Sequence, residues 1–163
     1  MVKKELMRIG VVGDIHGNLT GLEQALRSMG PIDQLLFTGD GYREIVKVKN
    51  RLEVPIAGVA GNCDFSSEYP TEQFFQLEQA QVMLAHGHRY GVKQGLTTIG
   101  LAGREKGVDL IVFGHTHFPL NTEWEGIRLF NPGTLCLERS YRGITYGIIE
   151  IGQNGLTFFH ERL

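Results

Sequence analysis

Five short apolar runs of this chain each lead into a residue that can bind a metal ion. The first run, residues 9–12, continues into Gly13-Asp14-Ile15-His16. An Asp and a His two positions apart, on a turn that leaves a buried strand, can direct both side chains into one pocket. The other four endings, in chain order, are Thr38-Gly39-Asp40, Ala60-Gly61-Asn62, Leu84-Ala85-His86-Gly87 and Phe113-Gly114-His115-Thr116-His117. This repetition predicts one site built from the ends of several strands.

The first part of the chain alternates between strand and helix patterns. Residues 7–12, 34–38 and 55–60 are short apolar runs typical of buried strands. Between them, residues 19–29 carry an apolar stripe at helical spacing, and residues 42–52 carry a weaker one. This β-α-β-α-β order predicts a parallel sheet, in which ligands bind at the carboxyl ends of the strands.

The first helix has recognisable start and stop signals. Asn18 or Thr20 can serve as its N-cap, and Thr20 with Glu23 fits a capping box. Gly30-Pro31 ends the helix, because proline cannot continue it.

The remainder of the chain is richer in strand patterns. Predicted strands cover, in chain order, residues 74–77, 81–85, 110–113, 120–124, 127–130, 145–151 and 156–160. Residues 92–102 form a helical pattern that Gly95 and Gly100 weaken. Two of the strand pairs flank hairpin signals, Glu125-Gly126 and Asn154-Gly155. We therefore predict a single domain, residues 1–163, in which a second sheet packs face to face on the first.

Composition and charge narrow the classes of function. A formal net charge of −2 differs from the basic surface of a dedicated nucleic-acid-binding protein. Cys63 and Cys136 are too few for a disulfide framework, as expected in a reducing cytosol. Residues 1–8 contain no apolar signal-peptide core, and no apolar stretch is long enough for a membrane-spanning helix. These features predict a cytoplasmic protein that does not act at a membrane.

The candidate ligands combine carboxylate, amide and imidazole groups. They are Asp14, His16, Asp40, Asn62, His86, His115 and His117. Such a set suits borderline or hard divalent ions and differs from a soft thiolate site. It exceeds one tetrahedral or octahedral site that also holds water, whereas two ions that share one carboxylate use every ligand. Two ions roughly 3.5–4 Å apart can act on both the attacking and the leaving oxygen of a phosphoryl displacement.

In this combination and order, the motifs resemble the calcineurin-like metallophosphoesterase superfamily, in particular its small, single-domain prokaryotic phosphodiesterases. The similarity extends to Asn131-Pro132-Gly133-Thr134, where the family has a related Asn-Pro-Gly-Ser turn. The resemblance implies an α/β (α+β) fold, a four-layer α-β-β-α sandwich of two mixed sheets flanked by helices. It also implies one ion held by Asp14, His16 and His117, a second held by Asn62, His86 and His115, and a bridging Asp40.

The resemblance further implies a metal-dependent phosphodiesterase, in which a hydroxide that bridges two ions attacks phosphorus in line. We expect Mn²⁺, with Ni²⁺, Co²⁺, Zn²⁺, Fe²⁺ or Mg²⁺ as alternatives, and Asn62 would also orient the phosphate. Many superfamily members have a His directly after this Asn, thought to protonate the leaving group, whereas this chain has Cys63 and then Asp64. The general acid is therefore unassigned, activated or diester substrates are expected, and His88 is a hypothetical substitute donor that would also contact substrate.

Each motif by itself has a simpler structural explanation. A lone Asp-x-His is commonly a surface turn, and a lone Gly-Asp is commonly a helix N-cap. Their joint occurrence favours the metal site. Two other functions stay open: a non-catalytic protein-interaction scaffold with this fold, as in the retromer complex, and a nuclease acting on short nucleotides. The presence of every ligand-competent side chain favours an enzyme.

The expected partner is a small phosphodiester or nucleotide-like substrate, without long nucleic acid or membrane, and a homo-oligomer is left open. Tyr42, Arg43, Arg139 and Arg142 could contact that substrate, but the sequence does not place them.

Three further residues have structural interpretations. We expect Cys63 to be a small filler in a tight loop, Cys136 a buried strand residue, and His160 a surface residue.

Overall fold

The computed structural model describes residues 5–163, which form two packed β-sheets with α-helices on their outer faces. The strands are β1 (Leu6–Val12), β2 (Gln34–Phe37), β3 (Ile56–Gly58), β4 (Glu72–Leu77), β5 (Ala80–Ala85), β6 (Leu110–Val112), β7 (Pro119–Trp124), β8 (Ile127–Pro132), β9 (Thr145–Gly152) and β10 (Gly155–Arg162). The helices are α1 (Leu19–Met29), α2 (Tyr42–Lys49) and α3 (Thr97–Glu105). The prediction for the amino-terminal segment falls partly on residues 1–4, which lie outside the described residues.

The first sheet has the strand order β10-β9-β1-β2-β3. Strands β1, β2 and β3 are parallel, as the alternating strand and helix patterns predict. The β9–β10 hairpin extends this sheet on the other side of β1, because β9 pairs with β1 in the antiparallel direction. The strand that carries the first motif therefore lies at the centre of the sheet, buried between its neighbours.

The second sheet has the strand order β4-β5-β6-β8-β7. Its central strands β5, β6 and β8 are parallel, whereas the outer strands β4 and β7 pair with their neighbours in the antiparallel direction. Both sheets are therefore mixed, and the parallel strands that precede the predicted ligands occupy the middle of each.

Alternating side chains along the central strands explain the four layers. On β5, Val82 and Leu84 face the other sheet and contribute to the core between the sheets, whereas Met83 faces α3. On the outer face of the first sheet, a separate apolar cluster joins α1 and α2 to strands β1 and β2. The arrangement is the predicted α-β-β-α sandwich. Among residues 5–163, none of the helices is long and apolar enough to cross a membrane.

Helix α1 has the predicted bounds and one of its two predicted N-caps, whereas the bounds of α2 and α3 differ from the sequence prediction. Asn18 is the N-cap of α1 and accepts a hydrogen bond from the Gly21 N–H, so the capping box that includes Thr20 is wrong. Helix α2 ends at Lys49, earlier than predicted. Helix α3 begins at Thr97, because Gly95 and the turns before it interrupt the helical pattern that the sequence suggested from residue 92.

Three residues lie in surroundings other than those predicted. Cys63 is exposed instead of filling a loop interior, and Cys136 is buried but precedes a short 3₁₀ turn instead of lying in a strand. His160 is half-buried on β10, where its ring stacks on Phe130 with centroids 4.7 Å apart. Its Nε2 lies 2.6 Å from the carbonyl oxygen of Asn131, and burial lowers the pKa of His160. The alternation of the strand therefore did not reveal that this position contacts the core.

Candidate metal centre

All the predicted ligands converge at one end of the sandwich. Each follows a strand: Asp14 and His16 follow β1, Asp40 follows β2, Asn62 follows β3, His86 follows β5, and His115 and His117 follow β6. The carboxyl ends of parallel strands meet at one edge of a sheet. Packing of the two sheets then brings their two edges together, which places ligands from distant parts of the chain around one site.

A first group consists of Asp14, His16 and His117. The Asp14 Oδ1 atom lies 3.2 Å from His117 Nε2 and 3.5 Å from His16 Nε2. The two ring nitrogens lie 3.2 Å from each other. One carboxylate oxygen and two imidazole nitrogens therefore form a compact triangle of potential metal ligands.

A second group is centred on His86. Its Nε2 atom lies 3.2 Å from Asp40 Oδ2, 3.1 Å from His115 Nδ1 and 2.9 Å from Asn62 Oδ1. Asp40 Oδ2 also lies 3.6 Å from His16 Nε2, a member of the first group. Asp40 is thus the side chain between the two groups.

The atoms in the centre of the site favour a cation. Asp14 is completely buried, and within residues 5–163 its Oδ1 atom has no hydrogen-bond partner. A buried carboxylate oxygen without a hydrogen bond is unfavourable unless a cation balances it. Imidazole nitrogens such as those that surround it are suitable ligands for first-row divalent ions. The residues present therefore fit a divalent metal ion.

The backbone is strained at most of the ligands. Five of them have positive φ angles: Asp14 (47°), His16 (45°), Asp40 (60°), His115 (71°) and His117 (64°). Positive φ is unfavourable for residues with a Cβ atom, by about 1–3 kcal/mol each, and such strain is concentrated at functional sites. Within residues 5–163, the other non-glycine residues with positive φ are Ser66, Glu78 and Glu125. Strain at the strand ends turns the ligand side chains toward one another.

Glycine precedes several ligands because neighbouring loops of the site approach each other closely there. A Cβ atom on Gly61 would lie 2.0 Å from Asp40 Oδ1, and one on Gly114 would lie 2.7 Å from Asp14 Oδ2. Any larger residue would displace the carboxylates. This contact gives a physical reason for the Gly-Asn and Gly-His pairs seen in the sequence.

Hydrogen bonds outside the ligand groups orient the ligands. His86 Nδ1 lies 2.8 Å from the Thr38 carbonyl oxygen, which can only accept, so the proton resides on Nδ1 and Nε2 faces the other ligands. The Thr134 hydroxyl donates to the Asp14 carbonyl oxygen at 2.6 Å. Asn131 donates to the Gly114 carbonyl oxygen at 3.1 Å. The 131–134 turn therefore supports the loops of two ligands without being a ligand itself.

Asp64 is a positioning residue that the sequence analysis did not assign. Its carboxylate accepts hydrogen bonds from the backbone N–H groups of Asp40, Gly41, Tyr42 and Gly61, at 2.7–2.9 Å. It thereby joins the loops after β2 and β3 and caps the start of α2, where Gly41 has no side chain to do so. The sequence signal that could have identified Asp64 is its position directly after Asn62-Cys63.

Charge in the site is balanced between carboxylates and imidazoles. Burial alone would raise the pKa of Asp14 and Asp40, but the neighbouring imidazoles outweigh it and hold both below their usual range. Burial alone would lower the pKa of His86, but the contacts with Asp40 and Asp14 raise it. Burial, with the charges of His86 and Lys93, lowers the pKa of His115 to about 4. The site thus keeps its carboxylates ionised and favours positive charge among them.

Cys63 and His88 lie beside the ligands. Cys63 donates its backbone N–H to Asp40 Oδ1 at 2.8 Å, and burial followed by the charge of Asp40 raises the pKa of its thiol. The His88 ring lies 5.3 Å from the His86 ring and 6.0 Å from the His115 ring, measured between centroids. Burial and the charge of His86 lower the pKa of His88, which reduces its protonated fraction near neutral pH.

Two neighbouring cavities open at the ligands and share His16, Asp40 and Cys63. We call the first, of about 410 Å³, the basic lobe, because Lys93 and Arg139 line it together with Tyr141. We call the second, of about 320 Å³, the aromatic lobe, because Tyr42 and Phe65 line it together with Arg43. Of the residues that the sequence could not place, Arg139, Arg43 and Tyr42 thus lie at the cleft. Arg142 and His88 line neither cavity.

Residues 7–154 match the calcineurin-like phosphoesterase superfamily domain. The chain belongs to the calcineurin-like phosphoesterase superfamily. This membership, together with the ligand groups, makes it a phosphoester hydrolase of a divalent-metal-dependent family.

Two curated relatives cover most of this phosphoesterase. It is 30% identical to the probable metallophosphoesterase YsnB of Bacillus subtilis over 152 residues, covering 93% of this chain and 88% of the relative. It is 26% identical to the phosphodiesterase YfcE of Escherichia coli K12 over 170 aligned residues, covering 89% of this chain and 88% of the relative.

A solved structure shows the same fold. Vacuolar protein sorting 29 from Cryptosporidium parvum aligns with a TM-score of 0.81 at 18% identity, covering 98% of this phosphoesterase and 93% of that chain. At that level of identity, the similarity establishes the architecture alone.

Proposed function

We propose that the protein is a phosphodiesterase that binds two divalent ions, one at each ligand group. Asp14, His16 and His117 would hold one ion, Asn62, His86 and His115 the other, and Asp40 would bridge them. When bound, such a pair of ions supplies a hydroxide for in-line attack on phosphorus and neutralises the non-bridging oxygens. The observation that supports this most directly is the position of Asp40 Oδ2, 3.2 Å from His86 Nε2 and 3.6 Å from His16 Nε2.

The protein side chains have separate tasks in this proposal. Asp14 and Asp40 stay ionised and provide the negative charge that holds the ions. Asn62 is exposed at the cleft, so its amide can both bind an ion and donate a hydrogen bond to the phosphate. Thr38, through its carbonyl oxygen, keeps His86 in the tautomer that presents Nε2.

The expected substrates follow from the identity of the residue after Asn62, which is Cys63. Cys63 provides no imidazole to protonate a leaving group, and the raised pKa of its thiol keeps it neutral. His88 stays a hypothesis as proton donor: it lies near His115, but its lowered pKa and its place outside both cavities weigh against that role. We therefore expect a preference for diesters with good leaving groups. We also expect Mn²⁺ as the activating ion and a cytoplasmic location, the latter supported by two unpaired cysteines.

The test is hydrolysis of bis-p-nitrophenyl phosphate by metal-stripped protein, with Mn²⁺, Ni²⁺, Co²⁺, Zn²⁺ and Mg²⁺ added back singly. The p-nitrophenyl monoester measures diester preference. Asp40→Asn should abolish turnover, whereas Asp109→Asn, a change of the same kind on an aspartate that accepts the Gln81 N–H away from the site, should keep it. Metal binding without any diester turnover would exclude the proposal.

The second candidate is a protein-interaction scaffold, favoured by the similarity in fold to vacuolar protein sorting 29. A scaffold does not depend on its ligand set, whereas this chain carries a ligand-competent side chain at each predicted position. Binding of metal without hydrolysis of any diester would move the assignment to this candidate.

A further inference from the structure

The two lobes are neighbouring cavities that both reach the ligand groups. They share His16, Asp40 and Cys63, so a phosphorus atom held at these residues would be next to both lobes. A diester has two substituents, and each can enter one lobe. The two lobes differ in charge, which makes them selective for different substituents.

The basic lobe presents two cations without carboxylate partners. Within residues 5–163, none of the ion pairs involves Lys93 or Arg139. Apart from the ligand Asp40, Glu138 is the one carboxylate among the residues that line this lobe. The lobe is therefore suited to an anion.

Arg139 is tied to the ligand group through its backbone. His117 Nδ1 lies 3.2 Å from the Arg139 carbonyl oxygen and donates to it. This hydrogen bond fixes the start of the Arg139 side chain relative to a metal ligand. The guanidinium can then reach into the lobe while the Arg139 backbone stays in place.

The aromatic lobe has the opposite character. Apart from Asp40, which lines both lobes, it contains one cation, Arg43, and two carboxylates, those of Glu44 and Asp64, so it carries no excess of positive charge. Phe65, which is 80% exposed, offers an apolar surface there. An uncharged, partly apolar substituent suits this lobe.

We propose that the substrate is a phosphodiester with a second phosphate group on one substituent, and that Lys93 and Arg139 bind this phosphate. The proposal rests on the proposed phosphodiesterase function and names its substrate class. An arginine guanidinium and a lysine ammonium form charge-assisted hydrogen bonds with phosphate oxygens. The second phosphate lies away from the reacting phosphorus, so it contributes mainly to substrate binding and lowers KM.

The experiment compares two diesters that differ only in the second phosphate. These are the p-nitrophenyl ester of thymidine 5′-phosphate and the same ester phosphorylated at the 3′ oxygen. With Mn²⁺, we expect kcat/KM to be about tenfold higher for the phosphorylated ester, through KM, and the difference to shrink at about 0.5 M salt.

Variants locate the effect. The double variant Lys93→Gln/Arg139→Gln should reduce the ratio of the two kcat/KM values to about one. Arg142→Gln removes the same charge from the same segment, but Arg142 lies over the Phe118 ring and lines neither lobe. It should keep the ratio. A ratio near one in the unchanged protein, or a ratio that survives in the double variant, overturns the proposal.

A binding measurement separates this proposal from the proposed function. Calorimetry compares thymidine 3′,5′-bisphosphate with thymidine 5′-monophosphate on the Mn²⁺-loaded protein. If no diester is hydrolysed but the bisphosphate binds about tenfold tighter, and the double variant loses that difference, the function fails and the phosphate subsite stands. Equal binding of the two nucleotides overturns the subsite, whether or not diesters are hydrolysed.

Discussion

The carboxylate of Asp64 accepts the backbone N–H of Asp40 at 2.7 Å. Its other hydrogen bonds, with Gly41, Tyr42 and Gly61, join the loops after β2 and β3. The residue between the two ligand groups is thus held in its positive-φ conformation by a side chain that is not itself a ligand. A change at Asp64 should therefore affect metal binding indirectly.

Asp64→Asn should lower both stability and metal affinity. An amide oxygen carries no charge, and its NH₂ group cannot accept hydrogen bonds from the backbone. We expect a loss of about 2 kcal/mol in the free energy of unfolding, by urea denaturation. We expect about tenfold weaker Mn²⁺ binding by calorimetry. In Asp109→Asn, which loses one such bond at an exposed site, both effects should be smaller. Equal effects in the two variants would contradict the positioning role.

Gly13→Ala tests the close packing below the first motif. A Cβ atom there would lie 1.7 Å from the hydroxyl oxygen of Thr38, a completely buried side chain with little freedom to move. We expect a loss of about 2–3 kcal/mol in the free energy of unfolding, measured in urea.

The matched control for this change is Gly152→Ala. The added Cβ atom would meet nothing nearer than Leu6 Cδ1 at 3.4 Å, and Gly152 does not have a positive φ. The free energy of unfolding of this variant should differ from that of the unchanged protein by less than about 1 kcal/mol. If Gly13→Ala were as stable as this control, the close approach of β1 and Thr38 would be incorrect.

Metal binding should weaken as the pH falls. In the proposed site, an ion would bind the unprotonated His86 Nε2, and the contact with Asp40 raises the pKa of His86 against the effect of burial. Because this pKa is raised, protons compete with the ion for His86 at a higher pH than they would for an ordinary histidine. His115, with its pKa lowered to about 4, stays neutral in this range.

Calorimetric titration with Mn²⁺ at about pH 8 and about pH 6 measures this competition, and we expect roughly tenfold weaker binding at the lower pH. Potentiometric or NMR titration of the metal-free protein should place the pKa of His86 above that of His115. The same affinity at both pH values would show that no proton leaves His86 on binding.

Metal should also stabilise the fold. Asp14 and Asp40 are both buried and repel each other, since the charge of Asp14 opposes ionisation of Asp40. A bound cation would remove this repulsion, and it would bind only the folded protein. Free Mn²⁺ at about 100 times its Kd should therefore add about 2.7 kcal/mol to the free energy of unfolding. Thermal unfolding with and without a chelator measures this gain. Asp40→Asn should lose most of it, and the chelator should then have little effect.

His88→Ala distinguishes a proton donor from a supporting residue. If His88 is the proton donor, the variant should lose more kcat, relative to the unchanged protein, on esters with poor leaving groups than on p-nitrophenyl esters. Because the pKa of His88 is lowered and it lines neither cavity, we expect similar kcat losses, within about threefold, for both kinds of ester. A loss restricted to poor leaving groups would instead assign the general acid to His88.

The sequence alone determined the architecture and the candidate ligands. Apolar runs that end in Asp, Asn or His mark the carboxyl ends of strands, and hydrophobic periodicity is a local property of the chain. The β-α-β-α-β order, the hairpins and every candidate ligand could therefore be predicted. Local signals were weaker where glycine interrupts a pattern, as at the start of α3, and where burial depends on a distant partner, as for His160 on Phe130.

The tertiary structure decided how these residues act together. Contacts between residues far apart in the chain, such as His16 with His117 or Asp64 with Asp40, arise from the packing of strands and loops and leave no local pattern. The same holds for the basic lobe, because Lys93 and Arg139 come from segments far apart in the chain and line one cavity. The sequence therefore identified the chemistry available to the site, and the fold determined which charges face the substrate.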